Sequence, residues 1–210
     1  MSLKQIAESE MVDVSLRELG RSELREAAHL LGRGMRDNPV NVRAFGPEAD
    51  RRGRAMARFF EPVVRGLHVR GSILGAFRGA TMVGVCGMAP PGRCQPTVAE
   101  KLGILPVVVF GNAIGVPLRV LRWTGEWARR DPAQPHWHLG PVAVDPDLQG
   151  QGIGRAMLEK FCAHMDEDSA LSYLETDKPE NVRFYERFGY AMVAEGFVLG
   201  VRNWFMMRYP

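Results

Sequence analysis

Cysteine is scarce in this chain: Cys86, Cys94 and Cys162 are the three among 210 residues. Their spacing matches neither a disulfide framework nor a paired metal motif. An odd, small number fits a reducing compartment, so a cytoplasmic location is expected. Net charge is scarce too. Lys+Arg 27 against Asp+Glu 24 leaves +3, short of the basic excess of a nucleic-acid binder, and no nucleic-acid partner is expected. There is no internal repeat and no low-complexity block, which argues against a solenoid or a disordered tail. Long apolar runs are missing as well. The most apolar stretch, residues 102–121, is broken by Pro106, Asn112, Pro117 and Arg119. It falls short of the roughly 20 residues a membrane span needs, so none is expected. The first residues lack a charged-then-apolar leader pattern.

What is present suits one globular domain over residues 1–210. Hydrophobic residues make up 46% and charged residues 24%, and a chain this long buries roughly 70% of its unfolded surface. Charge is unevenly spread. Residues 1–135 hold 20 basic and 13 acidic residues, net +7, whereas residues 136–210 hold 7 and 11, net −4. Arginine carries nearly all the positive charge; the lysines are Lys4, Lys101, Lys160 and Lys178.

Periodicity gives the elements. Residues 11–17 read as a first strand. Leu24, Ala27, Ala28 and Leu31 form a helical stripe after Ser22, which Gly32 and Gly34 end, and Asp37-Asn38-Pro39 reads as loop. Pro47 opens a second helix with Met56, Phe59, Phe60 and Val63 inward and Arg51, Arg52, Arg54, Arg58 and Arg65 on a solvated face. Residues 69–77 and 80–88 pair as a hairpin at Arg78-Gly79. Residues 90–135, with seven prolines, form a Pro-rich, partly helical insertion, in which Val116, Val120, Trp123 and Trp127 mark one amphipathic helix. Then follow a strand at 136–144, a helix at 153–165, a strand at 170–175, a short helix capped by Asp177 and Glu180 and ending at Gly189, and strands at 190–199 and 202–209. The result is a mixed α/β layer fold. The closing strands are candidates to pair with a second copy, so a homodimer is one expectation.

The most informative stretch is Val142-Ala143-Val144-Asp-Pro-Asp-Leu-Gln149-Gly150-Gln151-Gly152-Ile153-Gly154. A strand ends, a turn follows, and a glycine-rich loop runs into a helix. Such a loop aims unpaired N–H groups at one spot on the positive end of the helix dipole, a site for a diphosphate. A dinucleotide fingerprint would need Gly at 155, where Arg155 stands, although Glu175 lies at a suitable distance for a ribose acid. A Walker loop would need Gly-Lys-Ser/Thr, which is absent. A nicotinamide-dependent enzyme is therefore the rival reading.

Gln149-x-x-Gly152-x-Gly154 after a strand ending Val-x-Val-x-Pro resembles the acyl-CoA loop of the GNAT superfamily of N-acyltransferases. Asn181-x-x-Phe184-Tyr185-x-x-x-Gly189-Tyr190 is similar to that family's second signature. The close match covers residues 136–190. The resemblance implies a mostly antiparallel central sheet of 6–7 strands, splayed at the cofactor site and flanked by helices. It implies acetyl-CoA as donor, with pyrophosphate on Gln149, Gly150, Gln151, Gly152, Ile153 and Gly154, and Arg155 and Arg183 as local cations. The pantetheine arm would lie along the backbone of Val142, Ala143 and Val144. Pro141, with no N–H, fits a bulge or splay. Asn181 would touch the cofactor arm, and Tyr185, one turn later, would protonate the CoA sulfur. Phe184 and Phe188 would supply the core stripe, leaving Tyr185 off it.

Amine acetylation needs a base. His136 and His138 share a strand face where the acceptor should arrive, and imidazole titrates near neutrality. His138 is the candidate base and Glu175 the alternative, as base or as anchor for a cationic amine. The two histidines have no third ligand beside them in sequence, so no metal is expected. Phe45, Trp123, His136 and Trp137 are candidate acceptor contacts. Their aromatic character, with the basic first two thirds of the chain, favours a small amine with an apolar or aromatic body over a polyamine. The expected activity is direct transfer of acetyl from acetyl-CoA to the primary amine of a small molecule in a ternary complex. A non-catalytic acyl-CoA sensor is the alternative.

Overall fold

A computed structural model of the protein describes residues 13–110 and 112–210. The elements, in chain order, are β1 (Ser15–Glu18), α1 (Leu24–Gly34), α2 (Pro39–Phe45), α3 (Ala49–Arg70), β2 (Ser72–Arg78), β3 (Thr81–Ala89), α4 (Val98–Val109) and α5 (Val116–Ala128). They continue with β4 (Trp137–Val144), α6 (Ile153–Glu167), β5 (Ser172–Thr176), α7 (Pro179–Glu186), β6 (Ala191–Val198) and β7 (Val201–Arg208). The start of the expected first strand, residues 11 and 12, lies outside the described residues. The strands form one seven-stranded sheet in the order β1-β2-β3-β4-β5-β7-β6. Every neighbouring pair is antiparallel except β4–β5.

Local sequence explains most elements. On α6, Ile153, Met157, Leu158, Phe161, Cys162 and Met165 are the buried residues, one stripe at helical spacing. Each large apolar side chain so buried contributes roughly 1.5–3 kcal/mol relative to exposure. They pack on Leu74, Val83, Cys86 and Leu139 of the sheet. On the opposite face α1, α2, α3 and α5 enclose a second core with Ile73, Phe77, Val85 and Ala143. α1 passes Gly32 and ends at Gly34, as expected. A Cβ on Gly34 would meet the Val144 carbonyl oxygen at 2.8 Å, so glycine there lets α1 press on the end of β4.

Several expectations are corrected. Asp37-Asn38-Pro39 leads into a separate helix, α2, with Pro39 in its first turn, where its missing N–H costs nothing. The insertion holds two helices instead of one. α4 opens with a reciprocal capping box: Thr97 Oγ1 accepts from the Glu100 N–H at 3.2 Å and Glu100 accepts from the Thr97 N–H at 2.6 Å. Arg52 leaves the solvated face. It is 4% exposed and donates to the carbonyls of Arg36 and Gly46 and to Asp37, at 2.6, 2.8 and 2.7 Å. One buried guanidinium thus ties the turn before α2 to the residue that ends it. Asp177 does not cap α7, whose N-terminus has no side-chain cap. Met206 and Met207 of β7 are core. Among the described residues no helix is long and apolar enough to cross a membrane.

β4 positions the site. Along one edge it pairs with β3 up to Val144, with a register slip opposite Gly140-Pro141, where proline has no N–H to give. Along the other edge only Trp137↔Ser172 and His138↔Tyr173 pair with β5. Beyond them the two strands part, and the β5-facing edge of residues 139–144 is left open.

Candidate active site

The glycine loop stands at the end of this cleft. Asp145 turns the chain, its carboxylate accepting from the Asp147 N–H at 3.2 Å and pairing with Arg33 at 2.8 Å. Gly150 and Gly152 adopt φ of 78° and 83°, the left-handed region that only glycine enters cheaply. Gly152 is the N-cap of α6. Within the described residues, no backbone or side-chain acceptor is bonded to the N–H groups of residues 149–154. Unpaired N–H groups on a helix dipole are able to hold an anion. Gln149 Nε2 donates to the Val144 carbonyl at 3.3 Å, tying the loop to β4. Arg155 turns along α6 to Glu159 at 2.7 Å. The cation at the loop is Arg78, from the β2–β3 hairpin, which reaches Gln151 Oε1 at 3.1 Å. Sequence reading missed it, because only the sheet brings that hairpin beside the loop.

α7 borders the cleft. Asn181 Nδ2 donates to Thr176 Oγ1 at 3.1 Å, fixing α7 to the end of β5. Tyr185, expected off the core stripe, is its buried residue at 8% exposure, while Phe184 and Phe188 are half-buried. The Tyr185 ring packs edge-on to Tyr190, centroids 5.8 Å apart. Burial, with the neighbouring Cys86 thiol, pushes its phenol above the ordinary range. Cys86 lies opposite Val142 in the β3–β4 register, and Tyr185 shares an apolar cluster with Cys86, Val142 and Val144.

At the fork where β4 and β5 part, the acidic and imidazole groups gather on the α5 face of the sheet. His138 Nε2 lies 3.0 Å from Glu175 Oε2, and its Nδ1 lies 3.6 Å from Asp131 Oδ1. That Nδ1 is buried without a hydrogen-bond partner. The Glu175 side chain is 4% exposed, so it is no solvated strand end. His136 Nδ1 donates to the Gln134 carbonyl at 2.7 Å, and Nε2 lies 3.2 Å from Asp131 Oδ1. Burial alone would lower both imidazole pKa values. For His138 the Glu175 and Asp131 carboxylates outweigh it, and for His136 Asp131 does; each is raised to about 10. Burial would raise Asp131, yet the contacts with His136, His138 and Gln95 hold it well below the usual carboxylate range. Tyr173 stacks edge-on against both imidazoles, centroids 5.5 Å apart in each case.

The other candidate contacts are not on an open wall. Phe45 and Trp123 are 7% and 4% exposed and pack around Phe59 in the core under α2, α3 and α5. Trp137 points to the other face of the sheet, against His164 of α6 at 5.3 Å. Sequence reading placed no third donor beside the two histidines; the structure brings Asp131 and Cys94 to them. No local pattern marked either, since both sit in loops of the insertion.

Comparisons with known proteins give the family and the fold. The model of the acetyltransferase (GNAT) family matches residues 45–190. The chain belongs to that family. It is 34% identical over 64 residues to a mycothiol acetyltransferase of Propionibacterium freudenreichii, a match spanning 29% of this chain and 20% of that relative. A Corynebacterium glutamicum structure described as histone acetyltransferase HPA2 and related acetyltransferase superimposes with TM-score 0.69 at 21% identity, over 94% of this chain and 97% of that one. A Drosophila melanogaster polyamine N-acetyltransferase that forms N-acetylagmatine gives TM-score 0.59 at 15% identity, over 94% and 100% of the two chains.

Proposed function

We propose that the protein transfers the acetyl group of acetyl-CoA directly to the primary amine of a small molecule bound at the same time. One observation carries the reading: the sheet opens beside a β4 edge that runs into an unpaired cradle of N–H groups at residues 149–154. A diphosphate suits the cradle, and an extended pantetheine arm suits the free edge of Val142, Ala143 and Val144 as an added strand. Asn181 and Tyr185, one turn apart on α7, are proposed to border that path.

The proposed chemistry follows from the groups at the fork. Both ring nitrogens of His138 face acidic groups, so the imidazole positions Glu175 and Glu175 meets the amine. Glu175 anchors the ammonium and takes its proton; the neutral amine attacks the thioester carbonyl; the tetrahedral intermediate expels the CoA thiolate; Tyr185 supplies the thiolate with a proton, and the second proton lost from the amine nitrogen restores the phenol. A phenol pushed above its ordinary range stays protonated at neutral pH and suits that donor role. Burial of Phe45 and Trp123 removes the lining on which an aromatic body was expected. The acceptor is therefore proposed as a small primary amine whose charge rests on Glu175.

The test is calorimetric titration of acetyl-CoA, followed by product detection with a panel spanning agmatine, spermidine and aryl-alkylamines. Micromolar acetyl-CoA binding with an N-acetylated product supports the reading. No acetyl-CoA binding by the folded protein would remove it, and acetylation of the protein itself on mixing with acetyl-CoA would replace direct transfer by a covalent route.

A further inference from the structure

Four donors converge where the insertion begins and ends. Cys94 lies in the loop after β3, Asp131 follows α5, and His136 and His138 enter β4. Cys94 Sγ and one nitrogen of each histidine lie within 4.8 Å of one another. Asp131 Oδ1 is 3.2 Å from His136 Nε2 and 3.6 Å from His138 Nδ1. In a tetrahedral zinc sphere with bonds of about 2.0–2.1 Å, neighbouring N and O ligands stand about 3.3–3.4 Å apart. The nitrogen–oxygen spacing fits; the Cys94 thiol, which donates to the His136 carbonyl at 3.4 Å, must turn from that bond and approach from its loop to complete the sphere.

The outer nitrogens are already held. His136 Nδ1–H donates to the Gln134 carbonyl, which leaves Nε2, 3.2 Å from Asp131 Oδ1, as the nitrogen that exchanges its proton for a metal ion. His138 Nε2 faces Glu175, and its buried Nδ1 has no hydrogen-bond partner. An imidazole whose far nitrogen is fixed by a carbonyl or carboxylate is the usual setting of a metal-ligating histidine. Protons on the two imidazoles balance Asp131 when the site is empty, and a single metal ion replaces them by binding both nitrogens and the carboxylate at once. A cavity of about 280 Å³ lined by Gly92, Cys94, Gln95, Asp131 and His136 gives an entry path.

We infer that Cys94, Asp131, His136 Nε2 and His138 Nδ1 form a tetrahedral site for a borderline-soft transition-metal ion, zinc by its S, N, N, O donor set. The ion clasps the two ends of the insertion to β4 and fixes the ring of His138, and through it Glu175. Its role is positional; it takes no part in acetyl transfer.

The experiment is metal titration of the full-length protein, stripped with chelator, using zinc and cobalt(II), with circular dichroism as the folding control. The expected result is one ion per chain, a cobalt spectrum of four-coordinate intensity with a thiolate charge-transfer band, and a higher melting temperature with zinc. In Cys94→Ser the charge-transfer band is lost while the fold and acetyl-CoA binding remain. In Glu175→Gln, which touches no metal, affinity falls about 10- to 100-fold. Zinc also protects Cys94 from alkylation, and chelator restores the reaction. Failure of the stripped, folded wild type to bind either ion would overturn the site. So would a cobalt spectrum unchanged in both Cys94→Ser and Asp131→Asn, or a Cys94 alkylation rate indifferent to zinc. None of these readouts depends on acetyl transfer.

Discussion

The Asp177 carboxylate accepts a hydrogen bond from the Val40 N–H at 2.6 Å, across 137 residues of sequence. Val40 lies in the first turn of α2, whose own N-cap, Asn38, makes no side-chain bond. Asp177 therefore caps α2 from the end of β5, and fastens the α1–α2 corner to the strand that carries Glu175.

Removing the acceptor leaves a buried N–H unpaired. Asp177→Ala is expected to cost about 1–3 kcal/mol in urea unfolding. Asp177→Asn keeps an acceptor and costs less. Burial raises the Asp177 pKa above its ordinary value. Between the unfolded and folded pKa the native state binds more protons than the unfolded chain, so this group's contribution is largest in acid and falls as pH rises through the folded pKa. Wild-type stability relative to Asp177→Asn should therefore decline as pH rises from the ordinary carboxylate range through the raised native pKa. A difference independent of pH would show that the carboxyl is not strained by burial.

The two proposed proton-transfer groups separate kinetically. Tyr185→Phe keeps the ring against Tyr190 but removes the proton donor. Turnover is expected to fall by about 10²-fold or more with the acetyl-CoA dissociation constant unchanged. Glu175→Gln keeps the shape and removes the charge, so the acceptor KM should rise and kcat fall, again with acetyl-CoA binding intact. Steady-state kinetics with calorimetry checks both. Full turnover in Tyr185→Phe would return the thiolate's proton to solvent, and an unchanged acceptor KM in Glu175→Gln would move the ammonium site elsewhere.

What could be read from the chain was whatever local spacing encodes. The α6 stripe from Ile153 to Met165 and the loop from Gln149 to Gly154 lie within one turn-to-helix unit, and their geometry is as periodicity implies. Pro141 announced its slip because a missing N–H acts locally. The failures are long-range or shadowed. Asp177 and Glu180 have capping-box spacing, yet Asp177 is drawn to Val40 by a packing contact no spacing rule contains. The Thr97–Glu100 box was a usable sign of α4, hidden among seven prolines between residues 90 and 135. The stripe through Phe184 and Phe188 misassigned the inner face of α7, because Tyr185 packs into the apolar cluster beside Tyr190 and leaves the two phenylalanines half-buried. Phe45 and Trp123 looked like pocket lining because aromatic residues serve both purposes, and here the helices close over them. Glu175 and His138 each stood at a strand end in sequence; that they meet follows from the parallel β4–β5 pairing alone.

The glycine loop yields the most direct prediction. Gly152 sits at φ 83°, where a side chain costs roughly 1–2 kcal/mol of backbone strain, and its N–H belongs to the cradle. Gly152→Val is expected to weaken acetyl-CoA binding at least about 10-fold, equivalent to about 1.4 kcal/mol, while the apolar stripe of α6 keeps the domain folded. Arg78→Ala, which removes the cation reaching Gln151, acts differently. It should weaken binding modestly and flatten the dependence of affinity on salt, because an exposed charge is screened whereas N–H groups at a helix end are much less so. Calorimetry at two salt concentrations distinguishes the two variants. Equal loss at both concentrations in Arg78→Ala would mean that Arg78 shapes the loop through Gln151 instead of attracting the phosphates.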